Sequence, residues 1–112
     1  MDDNDMAPNV TVRSIRVKGG TRVAQGIEAA WESGQWVAII CTNGMVGCGA
    51  FDVALMEKHE QVIAVAHGSV DKHLVTCEDL LGAKIIGVTK LARAFGIKEG
   101  MGCREAVDLL SG

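Results

Sequence analysis

Aromatic side chains are scarce in this 112-residue chain, at 4% of the total, and that scarcity removes one class of function. Proteins that hold single-stranded nucleic acid stack its bases on aromatic rings and track its backbone with basic side chains. Here the rings are few, the formal net charge is −3 and no basic stripe is present. Nucleic acid is not an expected partner. No stretch approaches the ~18 consecutive apolar residues of a membrane span, so no membrane association is expected. The opening MDDNDMAPN is acidic and lacks the apolar core of a secretory leader. The expectation is a cytoplasmic protein with a disordered tail over residues 1–8 and a single domain over 9–112.

The common catalytic signatures are missing too. The tracts Gly47-Cys48-Gly49 and Gly100-Met101-Gly102 match neither a P-loop nor a dinucleotide fingerprint. No Ser-His-Asp arrangement is readable from residue order. His59, His67 and His73 lack the four-residue spacing of paired helical metal ligands. The four cysteines, Cys41, Cys48, Cys77 and Cys103, form no C-x-x-C pair. In a cytoplasmic chain they read as thiols rather than a disulfide framework.

What the chain does have is apolar surface. It is 48% hydrophobic and only 22% charged, and its mean hydropathy is positive. A domain this small has a high surface-to-volume ratio and room for one modest core. Sharing a face with further copies is the usual remedy, which predicts a homo-oligomer.

The richest segment is Gln35–Asp52, QWVAIICTNGMVGCGAFD. Asn43-Gly44 is a two-residue turn signal, because both residues tolerate the positive φ of a type I′ turn. A hairpin closed there pairs Thr42 with Met45, Cys41 with Val46, Ile39 with Cys48 and Ala38 with Gly49. Val37, Ile39, Cys41, Val46, Cys48 and Ala50 then share one face; Ala38, Ile40, Met45, Gly47 and Gly49 share the other. Both faces are apolar, which predicts a central ribbon covered on both sides. Gly47 and Gly49 leave a notch where a helix, a subunit or a ligand can approach.

Elsewhere, residues 9–18 alternate as a strand, with Val10 and Val12 facing one way and Ile15 and Val17 the other. Gly19-Gly20 breaks the run. Residues 21–31 fit either a helix or a strand by period. Residues 52–59 predict a short helix and 61–66 a buried strand ending at His67. Thr76 to Asp79 resembles a capping box, opening a helix that stops at Gly82. Residues 84–95 predict a helix with Val88, Leu91, Ala92 and Phe95 inward and Gly96 at its C′ position. A last helix carries Val107 and Leu110 inward. Strands first and helices later predict an α+β fold: a mainly antiparallel sheet from the N-terminal half, with short helices after residue 51 packed on it.

Chemistry points to Cys48, between two glycines and four residues before the helix-opening Asp52. A thiol near a helix N-terminus can have its pKa lowered and gain thiolate character. It then serves as nucleophile, persulfide carrier or soft ligand in a small-molecule or sulfur-handling site. The plainer reading is a packed core thiol in a non-catalytic assembly module, since free cysteine buries readily as a small hydrophobe. Asp52 reads as the N-cap, worth about 1 kcal/mol, or as a carboxylate that handles a proton or ligand N–H beside Cys48. Gly47 and Gly49 are candidate ligand contacts, and so is His67, which ends a strand where functional groups often sit. Cys41 lies diagonal to Cys48, about 7–8 Å away, which offers metal or iron–sulfur binding through the pair as a further alternative.

The run Cys48-Gly49-Ala50, then Asp52-Val53-Ala54-Leu55, within Asn43–Leu55 and followed later by Gly96-Ile97-Lys98-Glu99-Gly100-Met101, resembles the YunC-like family of bacterial and archaeal domains of unknown function. The similarity spans roughly residues 17–111. It implies a small α+β domain whose N-terminal β region mediates oligomerisation, as a tetramer, and it implies strand over residues 21–30. It brings no activity and no cofactor. Cys48 and Asp52 match the family motif, whereas Cys41, Cys77 and Cys103 fall outside it.

Overall fold

The computed structural model describes residues 8–19, 22–69 and 71–112. Residues 1–7 of the expected tail and Gly20 of the expected Gly19-Gly20 break lie outside the described residues. Six strands form one sheet in chain order: β1 (Asn9–Arg16), β2 (Val23–Trp31), β3 (Gly34–Ile40), β4 (Met45–Gly47), β5 (Ile63–Ala66) and β6 (Ile85–Val88). All neighbours are antiparallel except β4 and β5, which run parallel across helix α1 (Val53–Lys58). Helices α2 (Cys77–Leu81), α3 (Lys90–Arg93) and α4 (Cys103–Leu110) complete the chain. The fold is α+β with a mainly antiparallel sheet, and residues 23–31 are strand.

Cross-strand rows define the two faces. Gly26, Ile39, Val46, Ala64 and Val88 run across the inner face, which α2 and α4 cover. Val12, Ile27, Ala38, Gly47, Val65 and Gly87 run across the outer face. There the cover comes from Phe51 and the first residue of α1 and is local. Phe51 lies over Gly47, where a Cβ would sit 2.6 Å from its ring, and Val53 lies over Gly87. Trp36 meets Phe51 edge to face, with centroids 5.7 Å apart. On the same face Val10 and Val12 remain 66% and 62% exposed, although Ile15 and Val17 on the inner side are buried. The register of β1 against β2 is unbroken, so the change of apolar phase along β1 is a strand with two apolar faces, not a bulge.

The β3–β4 connection corrects the two-residue turn. Ile40 pairs with Met45, leaving residues 41–44 as the link, and neither Asn43 nor Gly44 adopts positive φ. The Cys41 N–H donates to the Gly44 carbonyl at 2.8 Å across Thr42-Asn43, and tertiary contacts add to this bond. The Asn43 N–H donates to the Leu110 carbonyl at 2.9 Å, and Gly44 is pressed against Val62, where a Cβ would be 2.5 Å from the carbonyl oxygen. The shift in pairing is two residues, and a two-residue shift preserves side-chain facing. The same residues therefore share each face as expected, but Cys48 lies opposite Val37 rather than Ile39. Double-sided cover is also narrower than expected: Ala38 and Gly47 are buried on the outer face, while Ile40 is exposed.

A second correction concerns residues 84–95. Ile85–Val88 is the edge strand β6, and only Lys90–Arg93 is helical. Thr89 divides the two. Its buried hydroxyl accepts from Ile63 N–H, donates to the Gln61 carbonyl and caps α3 at Ala92. Val88 and Ala92 are buried as expected, but Leu91 and Phe95 are exposed. Gly96 does adopt positive φ, at 93°. The remaining elements match: Asp52 caps α1, Thr76 and Asp79 form the capping box of α2, and Val107 and Leu110 of α4 are fully buried.

Candidate functional site

Cys48 is the first residue after β4, and Val37 fixes it through both backbone groups. The Cys48 N–H donates to the Val37 carbonyl at 3.1 Å, and the Val37 N–H donates to Cys48 Sγ at 3.4 Å. The chain then turns, with Phe51 N–H donating to the Cys48 carbonyl, and reaches Asp52. Asp52 accepts from Leu55 N–H at 3.2 Å as the N-cap of the six-residue α1.

Opposite this turn lies the segment leaving β5. The His67 ring is stacked so closely on Gly49 that a Cβ there would be 2.6 Å from Cδ2. That contact, not an open notch, is what Gly49 allows. Gly47 likewise receives Phe51. Beyond His67 the loop is tightened by Ser69 and Lys72, which exchange backbone hydrogen bonds while Ser69 Oγ accepts from Lys72 N–H.

Two hollows flank the Gly49-Ala50 ridge. One, of about 300 Å³, has Cys48 in its wall together with Gln35, Ser69 and His73. The other, of about 430 Å³, contains Asp52 and His67 between Phe51, Val53 and Ile86. The sequence-derived site is therefore divided. Cys48 and Asp52 are neighbours across a ridge and line separate hollows, and His67 sides with Asp52. The side chains that accompany Cys48 come from β3 and from the 67–74 loop. Gln35, Ser69 and His73 were not singled out by spacing, because two segments distant from Cys48 in sequence contribute them. The one local hint was a histidine-glycine-serine step at a strand end with a second histidine soon after.

All four thiols are buried, and burial raises the pKa of the three other than Cys48. Burial pushes Cys103 up to about 12. Burial, then the Glu28 carboxylate, pushes Cys77 up to about 11. Burial raises Cys41, beside Ser111 and Asp108 at the end of α4. Cys41 also corrects the diagonal pair. It follows Ile40, four residues along the face from Val37, hence about 13 Å from the level of Cys48 at ~3.3 Å per residue. Among the described residues no group of three His, Cys, Asp or Glu side chains is placed to hold a metal.

Comparison with known proteins decides the kinship. Residues 47–110 match the model of the family described as Domain of unknown function (DUF1805). The chain belongs to this family. The DUF1805 segment begins at Gly47, so it contains Cys48, Asp52, His67 and His73 and leaves out Gln35 and Cys41. The chain is similar to the Uncharacterized protein YunC of Bacillus subtilis (strain 168), at 40% identity over 73 residues, 64% of this chain and 70% of that protein. Its fold also matches the crystal structure of TA1206, a protein of unknown function from Thermoplasma acidophilum. That match has a TM-score of 0.82 at 22% identity and covers 95% of this chain and 97% of the other. At that identity the likeness establishes the DUF1805 chain's fold and nothing about its chemistry. No helix among the described residues is long and apolar enough to cross a membrane.

Proposed function

We propose that the hollow beside Cys48 is a small-molecule site and that the Cys48 thiol is its reactive or ligand-holding group. One observation carries the reading. Cys48 is anchored by a backbone donor to sulfur and also forms part of the wall of a polar-lined hollow. Cys48 is 6% exposed and belongs to the core cluster, and the hollow reaches the edge of it that is left open. Gln35, Ser69 and His73 supply amide, hydroxyl and imidazole groups to orient a small polar ligand. Asp52 acts from the adjoining hollow by fixing the start of α1, and Gly49 and His67 set the ridge between the two.

Native alkylation tests this. Iodoacetamide transfers its carbamoylmethyl group to sulfur, with iodide and the thiol proton leaving. Cys48 is expected to react first and alone among the four cysteines. Labelling of Cys48 that appears only after denaturation refutes the site and leaves the packed-thiol assembly module standing.

A second observation favours self-association. Val10, Val12, Val23, Trp31 and Ile40 expose apolar surface on β1, β2 and β3. Exposed apolar patches of this kind mark interaction surfaces. We read the chain as a homo-oligomer, a tetramer by its family resemblance, joined through the outer face. Free thiols at all four cysteines suit a reducing compartment, in keeping with a cytoplasmic protein. Size-exclusion chromatography with light scattering gives a multiple of the chain mass if the reading holds, and the monomer mass overturns it.

A further inference from the structure

The charge of this acidic chain is unevenly distributed. Residues 9–27 carry Arg13, Arg16, Lys18 and Arg22 and no acidic residue. Three cations converge where β1 ends. Arg16, Lys18 and Arg104 line an open hollow of about 500 Å³, with Val17, Gly19 and the single carboxylate of Asp108. It shares no residue with the hollows around Cys48.

Hydrogen bonds between distant segments hold this hollow in shape. Arg104, in the first turn of α4, donates from its guanidinium to the Arg16 carbonyl at 2.8 Å. The Lys18 N–H donates to Asp108 Oδ1 at 2.9 Å, one turn further along the same helix. Asp108 is thereby engaged with backbone. Among the described residues the ion pairs are Arg13–Glu28 and Arg93–Glu99, so Arg16, Lys18 and Arg104 are not neutralised by direct pairing. Three positive groups against one carboxylate leave two positive charges facing the hollow.

We infer that this hollow binds a small molecule carrying a phosphate or pyrophosphate group. Guanidinium groups match phosphate oxygens through paired N–H donors, and a lysine adds a point charge. The volume suits a small ligand. No aromatic side chain lines the wall, so nothing there stacks a nucleobase, and the charged end of the ligand provides the contacts. Two guanidinium groups and an ammonium fit an anion of charge two or more better than a monocarboxylate.

Isothermal titration of the full chain with inorganic pyrophosphate tests the inference. Saturable binding with one ligand per chain is expected, weakening as salt is raised. Arg16→Glu changes an exposed side chain and should keep the thermal unfolding curve. Its affinity should fall about tenfold or more, since a charge-assisted contact is lost and a repulsion added. Arg104→Lys retains the charge but not the fork, and should fall in between. Absence of saturable binding at millimolar pyrophosphate overturns the inference. So does binding that Arg16→Glu and Arg104→Lys leave unchanged, because the anion then sits elsewhere.

Discussion

The two faces of one sheet meet opposite fates. On the inner face, Ile39, Val46 and Ala64 are fully buried beneath α2 and α4. On the outer face, cover is confined to the region near α1, where Gly47 and Gly87 receive Phe51 and Val53 and where Ile63 and Val65 of β5 are buried. Among the described residues, Val10, Val12 and Val23 on β1 and β2 stay more than half exposed. Strand alternation assigns a residue to a face, but it does not say whether anything lies on that face. The small residues carry that information, since each glycine in the outer row marks the place where a bulky neighbour arrives.

Mutations can sharpen this contrast. The largest effect should come from Ile39→Ala, which leaves a cavity in the inner core and should cost about 3 kcal/mol in urea unfolding. At chain concentrations low enough to dissociate the oligomer, Val12→Ala on the outer face of the same sheet should stay within about 0.5 kcal/mol. Equal losses would erase the distinction between the faces.

Glycine substitutions come next. A Cβ at Gly26 would lie 2.4 Å from the buried Cys77 sulfur. Gly26→Ala should therefore cost about 2 kcal/mol through overpacking, and adding Cys77→Ala should recover part of it in thermal denaturation. Gly47→Ala should cost less, because Phe51 is only half-buried and can swing aside. Asp52→Ala should cost about 1 kcal/mol as a lost helix cap, with Asp52→Asn close to wild type in the same melt.

The smallest effect is a pH dependence on the inner side of β1 and β2. Burial pushes the Glu28 carboxyl up, but Cys77 N–H and Arg13 outweigh it, and the net position lies below the ordinary 4.5. Because the native value is lowered, this contribution is present above 4.5 and is lost as pH falls through the native value. Glu28→Gln should flatten the acid limb of a stability-against-pH curve. An unchanged limb would show that Glu28 contributes nothing there.

Much of the fold was legible in the residues. The strand over 9–16, the Asp52 and Thr76 caps and the inward face of α4 each follow from local pattern, because the side chains that decide them lie within a turn or two. The helix expected over 84–95 failed for an instructive reason. Val88 and Ala92 carry the same signal as the ends of a strand and a helix separated by Thr89, and only pairing with β5 distinguishes that from one helix. The turn at Asn43-Gly44 failed likewise, overridden by Leu110 and Val62. Of the candidate site, Cys48 was visible through its glycines and acidic neighbour. Its companions Gln35, Ser69 and His73 were not, since no spacing joins residues on separate segments.

By itself the sequence determined which residues share each face, because side-chain direction along a strand has a period of two and survives a two-residue change of register. It also determined where α1 and α2 begin, since the Asp52 and Thr76 caps are local hydrogen bonds. Tertiary structure alone decided that Cys48 and Asp52 face different hollows, that Cys41 lies far from Cys48, and that Arg104 meets Arg16 at the end of β1. Those are meetings between segments distant in sequence, set by how the strands pair and where the helices land.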